Sequence, residues 1–491
     1  LKKFPHNKKL KYAYGETQTL NEKFSHLKSW NKASGELNKT DKRIYYDYQQ
    51  VLGVGGTSLH FQAEAHRLHP EAFTMKSEYG VASDWPIRYD NLEPYYNAVE
   101  KIVGVAGSGE LSYRKRTEPY PLPPHELSYT SKEVKKACDK LGYTLVPNSV
   151  AILSQSYRNN VPCNYCNGCV WGCPRKDKGS TDVTFIPLAL NTGNCRILTN
   201  AFAGRIEVKI VDGKKTVEGV QYFDDNGKEH FVKAKQVVVA CGAVQTPRLL
   251  INSDLNENNV VGKNFMETNF YQVVAFHQNR LDAYRGIPID SLIMDWNEPS
   301  KNKGFIGGFR LFPSAGSALT PDAYATRYFG GNGESFVKDI EEWFGHAFAI
   351  GGIGEFLPNP DTFISVHEKI KDRFELPVAK IQSFNSENEL KMQNMMDKKA
   401  KEILDSCGAT NIVEQFSSYD FFSSTHVFGT CKMGNKPEDS VVDSNLESHE
   451  VKNMFITDAS VFPSSGGGEA PSLTIQALSL RTSAHILNER V

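Results

Sequence analysis

Apolar and polar positions alternate on two periods along this chain, and the two periods mark different stretches of it. Behind Ser386, Leu390, Met396, Ile403 and Leu404 recur at helical spacing to about Ser406. Ser386 with Glu389 three residues on forms a capping box that starts this helix, and its methionines read as core packing. Residues 270–385 instead alternate apolar and polar between Gly and Pro breaks, which predicts an antiparallel sheet. Gln236–Ala240, with its Val-Val-Val centre, reads as a buried strand that breaks at Gly242. Thr246-Pro247 then opens a helix with proline early in the first turn. Arg196–Thr199 and Arg205–Val211 read as strands, and residues 84–96 as a turn entering a helix. Met454 to Asp458 forms a strand ending in an acid. The loop Gly466-Gly467-Gly468 follows, then Pro471 opens a helix through Leu473, Ile475, Ala477 and Leu478. Residues 118–125 hold four prolines and predict an extended linker. Residues 1–50, rich in Lys, Asn and Thr with little period, predict a surface excursion.

Composition narrows the class. A chain of 491 residues has room for two domains. With 40% apolar and 23% charged residues it matches a globular protein. A net charge of −1 provides no field to recruit nucleic acid or anionic membrane, and no run approaches the roughly 18 apolar residues of a membrane span. Residue 1 is Leu, and Lys2 to Tyr14 is polar and basic without an apolar signal core, so the chain reads as lacking its true start. That leaves the compartment open between cytoplasm and a periplasmic, membrane-associated location.

Candidate chemistry falls into four groups. Gly53-Val54-Gly55-Gly56-Thr57-Ser58 is a turn that lets backbone approach a ligand, or a tight turn packed on a sheet. The glycine loop before Pro471 brings free amides and a helix N-terminus to a ligand, suited to the negative charge a flavin gains on reduction. Asp458, at its strand tip, reads either as an acceptor for a cofactor's sugar-like chain or as a helix cap or turn residue. His426 suits the proton acceptor that alcohol oxidation requires, because imidazole titrates near neutral pH; the bland alternative is a structural histidine. Finally, Cys163, Cys166, Cys169 and Cys173 precede Pro174 with the spacing of bacterial ferredoxins. An iron–sulfur cluster, a zinc site, a disulfide pair and small buried residues filling a turn all remain open for them, although no second C-x2-C knuckle accompanies the run.

The glycine turn 53–58, Gly242 to Pro247, Val261 to Met266, His426 to Gly434 and Asp458 to Leu478 occur in this order, and with them the chain resembles the glucose–methanol–choline (GMC) family of flavin oxidoreductases. Asp84-Trp85-Pro86-Ile87, Leu357-Pro358-Asn359-Pro360 and the cysteine run are similar to its branch of membrane-associated sugar and sugar-acid dehydrogenases. The resemblance implies an α/β fold: a Rossmann-like FAD-binding domain (1–68, 160–268 and 425–491) interleaved with a substrate domain containing an antiparallel sheet (69–159 and 269–424). It implies His426 as catalytic base and Gly55, Gly56, Thr57 and Ser58 along FAD. It places Ala203 near the adenine-contacting strand, Gly242 and Ala243 near the adenosine, and Asp458 and Ala459 at the pyrophosphate or ribityl chain. Pro471, Ser472 and Leu473 open the helix on the flavin. It further implies a three- or four-iron cluster on the four cysteines, and electron transfer to a cytochrome or a small partner subunit. The expected reaction is oxidation of the CH–OH group of an alcohol or sugar by hydride transfer. An oxygen-using oxidase with structural cysteines, or a non-catalytic cluster- or flavin-binding module, are the alternatives. Two departures stand out. The family's N-terminal G-x-G-x-x-G fingerprint is missing, since Gly53–Gly56 does not follow a strand and open a helix. Ala470 stands where the family usually has Asn or His, which leaves His426 alone or paired with a neighbour such as Glu469, Ser472 or Asn269.

Overall fold

The computed structural model of the protein describes residues 28–34, 46–109, 114–315, 319–329, 332–420 and 422–488. Its largest element is a six-stranded antiparallel sheet in the order Ala409–Ser417, Asn269–His277, Ala347–Gly354, Phe309–Ser314, Ser291–Ile293, Leu145–Pro147. The helix Glu387–Cys407 covers it. Both halves of the Ser386/Glu389 capping box form at its start, and Gly408 ends it at φ 85°. Met392, Met396, Ala400, Ile403 and Leu404 line the buried stripe, each at most 1% exposed. Close docking requires missing side chains on the sheet: a Cβ on Gly354 would stand 2.3 Å from Met392 Sδ and 2.6 Å from Met396 Cε.

A second core gathers the ends of the chain. Met454–Ile456 pairs in parallel with Val237–Val239 in direct register, Met454 opposite Val237. The helix Gly242–Asn252 follows the inner strand, and the three-stranded antiparallel sheet of Phe202–Val211, Lys214–Phe223 and Glu229–Lys233 lies beside it. The C-terminal helix Ser472–Ile486 packs on Tyr89–Val103, where the Tyr96 hydroxyl meets Thr474 Oγ1 at 2.8 Å. Ala63, Phe73, Leu92, Tyr96, Val239, Ile456 and Leu473 belong to one continuous apolar cluster, and the six-stranded sheet with its helix forms another.

Four local expectations change. The helix after Val239 begins at Gly242, so Pro247 lies inside it rather than at its opening. Arg196–Thr199 is not a strand: no neighbour pairs with it, and Ile197 and Leu198 stay exposed. Residues 28–34 and 46–51 are strands, drawn out of a polar, aperiodic stretch by pairing with Pro377–Gln382 and with each other. The rest of residues 1–45 lies outside the described residues. The glycine turn therefore does follow a strand, Tyr46–Val51, but a one-turn 3-10 helix, Gly56–Leu59, succeeds it where a nucleotide fingerprint requires an α-helix.

Candidate active site

The predicted motifs converge through backbone pairing. Gly429, Cys431 and Met433 donate to the carbonyls of Ala459, Ser460 and Val461, which sets the His426–Gly434 run alongside the segment after Asp458. Met266 and Phe428 exchange two hydrogen bonds, and Gly262 donates to Thr430 O at 2.7 Å, adding the 261–266 motif to the same bundle.

Asp458 is the pin of this junction. Its Oδ2 accepts from the Gly242 amide at 2.9 Å and from Thr246 Oγ1 at 2.5 Å, while Oδ1 accepts from Ser460 N–H and caps the turn Ala459–Val461. Asp458 thus accepts backbone amides and caps a turn, a protein anchor that holds Gly242–Ala243 beside Ala459. The glycine turn is tied down in parallel: Gly55 O accepts from Ser58 Oγ at 2.6 Å and Thr181 Oγ1 at 2.9 Å. Gln50 Nε2 reaches the Cys241 carbonyl at 3.2 Å and so brings the two glycine motifs together. Gly55 and Gly56 take φ of 111° and 56°, and side-chain space at Gly56 and Gly242 is empty to 4 Å. Buried polar atoms without a partner border this junction: Gln50 Oε1, Asp182 Oδ1 beside Gly55, and Gln245 Nε2. Open glycine space flanked by unsatisfied donors and acceptors fits a large polar cofactor. Ala203 sits in the strand Phe202–Val211; Thr57 lies in the 3-10 turn.

His426 is half-buried, and Thr268 fixes its backbone from both sides. Thr268 Oγ1 accepts from the His426 amide at 2.7 Å and donates to its carbonyl at 3.1 Å. The ring nitrogen Nδ1 has no protein partner. Burial pulls the imidazole down to about 4; Glu64 opposes this, and Arg310 and His66 reinforce it. At neutral pH the ring is a free base.

Beneath it lies a buried ionic cluster that the motifs did not reveal. Arg310, fully buried on the strand Phe309–Ser314, grips Glu64 at 2.8 and 2.9 Å and donates to Gly468 O at 2.8 Å. His66 stands between Glu469 and Asn148, and Arg114 bonds both Glu469 and Asn297. Asn297 Nδ2 holds the Gly467 carbonyl at 3.0 Å. Against the upward pull of burial, Arg310 holds Glu64 and Arg114 holds Glu469 down at about 2. Glu355 is different: burial outweighs the hydrogen bonds of Ser465 and pushes it up to about 7, and only Oε1 is bonded, by Ser465. The three loop glycines have φ of 88°, 74° and 89°, and a Cβ on Gly468 would stand 2.3 Å from Ile353 O. The loop delivers the chain to Pro471, the N-cap of Ser472–Ile486, with Leu473 buried and Ser472 partly exposed. The one sequence signal for the cluster was Glu64 and His66 at i, i+2, charged positions on one side of an extended, alanine-rich segment.

The cysteines are not assembled as predicted. Cys163, Cys169 and Cys173 lie near enough to interact electrostatically with one another and with Cys166. Yet among the described residues no three His, Cys, Asp or Glu side chains converge to hold a metal ion. Cys173 donates to Asp177 Oδ1 at 3.0 Å, Cys166 is exposed, and burial pushes the Cys163 and Cys169 thiols up to about 11 and about 12. All nine cysteines are free of disulfides. The buried Lys178 ammonium ties this segment to the residues after the glycine turn, donating to the carbonyls of Leu59, Phe61 and Cys169.

The glycine motifs thus meet at Asp458, and the run that begins at His426 pairs with the segment after it. The chain belongs to the GMC oxidoreductase family, whose two models match residues 53–268 and 358–479. It is 30% identical to 2-methyl-1,2-propanediol dehydrogenase of Mycolicibacterium austroafricanum, over 88% of this chain and 80% of that one. It is 26% identical to the fructose dehydrogenase large subunit of Gluconobacter japonicus, over 92% and 83%. Among solved structures, the formate oxidase of Aspergillus oryzae RIB40 shares the fold at a TM-score of 0.66 and 15% identity, covering 94% of this chain and 89% of that one. The expectation of a GMC fold, α/β with antiparallel sheets, holds.

Proposed function

We propose that the protein oxidises the CH–OH group of a small alcohol or sugar with FAD as its cofactor, and that His426 receives the hydroxyl proton. The observation that carries this is a half-buried imidazole, held near 4, whose buried Nδ1 no protein group uses. Gly55, Gly56, Thr57, Ser58, Ala203, Gly242, Ala243 and Ala459 would line the cofactor, with Asp458 as their anchor. The helix N-terminus at Pro471, Ser472 and Leu473 would face its ring with partial positive charge. Bound FAD supplies a two-electron acceptor for the carbon-bound hydrogen. The protein's own task is to orient the alcohol, shield it from water and hold its proton on His426. The substrate would sit between the two apolar cores, in keeping with the discontinuous division 1–68, 160–268 and 425–491 against 69–159 and 269–424.

A dehydrogenase is favoured over an oxidase by the likeness to two dehydrogenases, and a partner subunit or cytochrome as acceptor by the likeness to a chain named as a large subunit. An iron–sulfur cluster on Cys163, Cys166, Cys169 and Cys173 is the extension their spacing supports. It requires the thiols to move, and no electron route is built on it. The test is anaerobic mixing of flavin-loaded protein with alcohols and sugars. Substrate should bleach the flavin band, and His426→Asn should slow bleaching by about 100-fold or more while flavin stays bound. Equal bleaching by the variant would remove His426 as the base. Steady peroxide in air would mark an oxidase, and iron with acid-labile sulfide a cluster.

A further inference from the structure

Away from the glycine motifs the chain encloses a cavity of about 150 Å³ that the reading above does not use. Three walls form it. The end of the helix Tyr89–Val103 supplies Ile102 and Val103, and the helix Phe185–Asn191 supplies Pro187, with Val183 just ahead of it. The third wall is a pair of segments: Leu153 N–H donates to Asp177 O at 2.9 Å, and Gly179 N–H to Ala151 O at 2.8 Å. Two glycines let these walls meet. A Cβ on Gly104 would stand 2.7 Å from Leu153 Cδ2, and one on Gly179 would stand 2.5 Å from Val103 O. Much of the lining is therefore apolar.

The exposed edge of the cavity carries positive charge. Tyr157 and Asn160 exchange backbone hydrogen bonds of 3.1 and 2.9 Å, and between them Arg158 and Asn159 take φ of 45° and 67°. Lys176, also on the lining, takes φ of 61°. Left-handed backbone suits Gly or Asn, so an Arg and a Lys held there are strained. The Arg158 guanidinium stands 5.5 Å from the Tyr157 ring centroid, and the Tyr157 hydroxyl is tied to Lys101 O at 2.8 Å. Among the described residues neither Arg158 nor Lys176 has a carboxylate partner. Asp177 is the single acid on the lining, and its oxygens already accept from Cys173 Sγ at 3.0 Å and Arg175 Nε at 3.3 Å. Lys178, the remaining cation, uses its ammonium on three backbone carbonyls. Two unpaired cations beside an apolar lining select a ligand that is anionic at one end and apolar at the other. A cavity of this size holds a benzene-sized group.

We propose that this cavity binds a small organic carboxylate, with its apolar body among Ile102, Leu153 and Val183 and its charged end at Arg158 and Lys176. None of these residues is assigned to the cofactor or the base, so the proposal stands apart from the proposed oxidation. The probe is benzoate, titrated by calorimetry into full-length flavin-loaded protein. Benzamide serves as its neutral counterpart, and inorganic phosphate as an anion without an apolar body. Benzoate should bind saturably, and phosphate at equal concentration should not displace it. Arg158→Gln with Lys176→Gln should weaken benzoate about tenfold and leave benzamide unchanged. Val183→Phe, which fills the cavity and keeps both cations, should abolish binding. Equal affinity in the double variant, as binding over the flavin would give, overturns the proposal. So does the absence of saturable binding, displacement by phosphate, or benzoate retained by a folded Val183→Phe. Arg158 and Lys176 are exposed, so the double variant keeps the test decisive even if Val183→Phe does not fold.

Discussion

His426 owes its unprotonated state to what surrounds it rather than to its type. An imidazole in water would be part-protonated near pH 6.5, whereas burial, helped by the Arg310 guanidinium and opposed by Glu64, brings this one to about 4. Glu355, just past the strand Ala347–Gly354, shifts in the opposite direction, raised by burial to about 7 from 4.5. A carboxyl whose folded value is raised contributes stability that is complete below its unfolded value near 4.5 and is lost as pH rises through 7. Wild type should therefore lose on the order of 3 kcal/mol between pH 4.5 and 8 from this group. Glu355→Gln, which cannot ionise, should flatten that part of the stability profile in urea titrations. An identical slope in the variant would assign the loss elsewhere. His426 stood out in the sequence because its neighbours to Gly434 form a local motif. Glu64, His66, Asn148 and Arg310 did not, since a charged side chain in a chain looks solvated until its partner is placed. Glu64 and Arg310 stand 246 residues apart.

Among the elements, the glycine loop and the two helices were legible for local reasons: a capping box before Glu387, and three glycines before a proline. Their positions were not, as the start of Gly242–Asn252 shows. There Asp458, from a distant strand, accepts the first amide and extends the helix back past Thr246. The loop also sorts its glycines by need. Ala at Gly468 would combine φ 89° with a 2.3 Å contact on the Ile353 carbonyl, a backbone atom that cannot turn aside, while Ala at Gly56 meets only the strain of φ 56° in open space. Gly468→Ala should cost about 3 kcal/mol or more and release flavin, and Gly56→Ala about 1 kcal/mol. Thermal melts with flavin fluorescence rank them, and a milder Gly468→Ala would show that the loop can shift off the sheet.

Across the whole molecule, the Arg310–Glu64 pair joins the six-stranded sheet to the segment that follows the glycine turn, so it welds the two cores at the site. Removing one partner strands a buried charge. Arg310→Met should lose about 3–5 kcal/mol in equilibrium unfolding, and Arg310→Met with Glu64→Gln should recover part of it. Simple additivity of the two changes would mean that the pair is not coupled. The same scale governs the cysteine run. Its spacing is a statement about neighbours in sequence, but convergence of four sulfurs is a statement about three dimensions, and the described thiols turn to Asp177, to solvent and into the core instead.

Family, cofactor class and the glycine motifs were all contained in the order of residues, because each depends on neighbours within a few positions: a turn that needs glycine, a helix that needs a cap, a histidine inside a recognisable run. Tertiary structure alone decided which strands the polar N-terminal stretch forms, where the helix after Val239 begins, and how the charges beneath His426 are matched. Those outcomes depend on hydrogen bonds and ion pairs between segments hundreds of residues apart, whose energies exist only once water has been excluded between them.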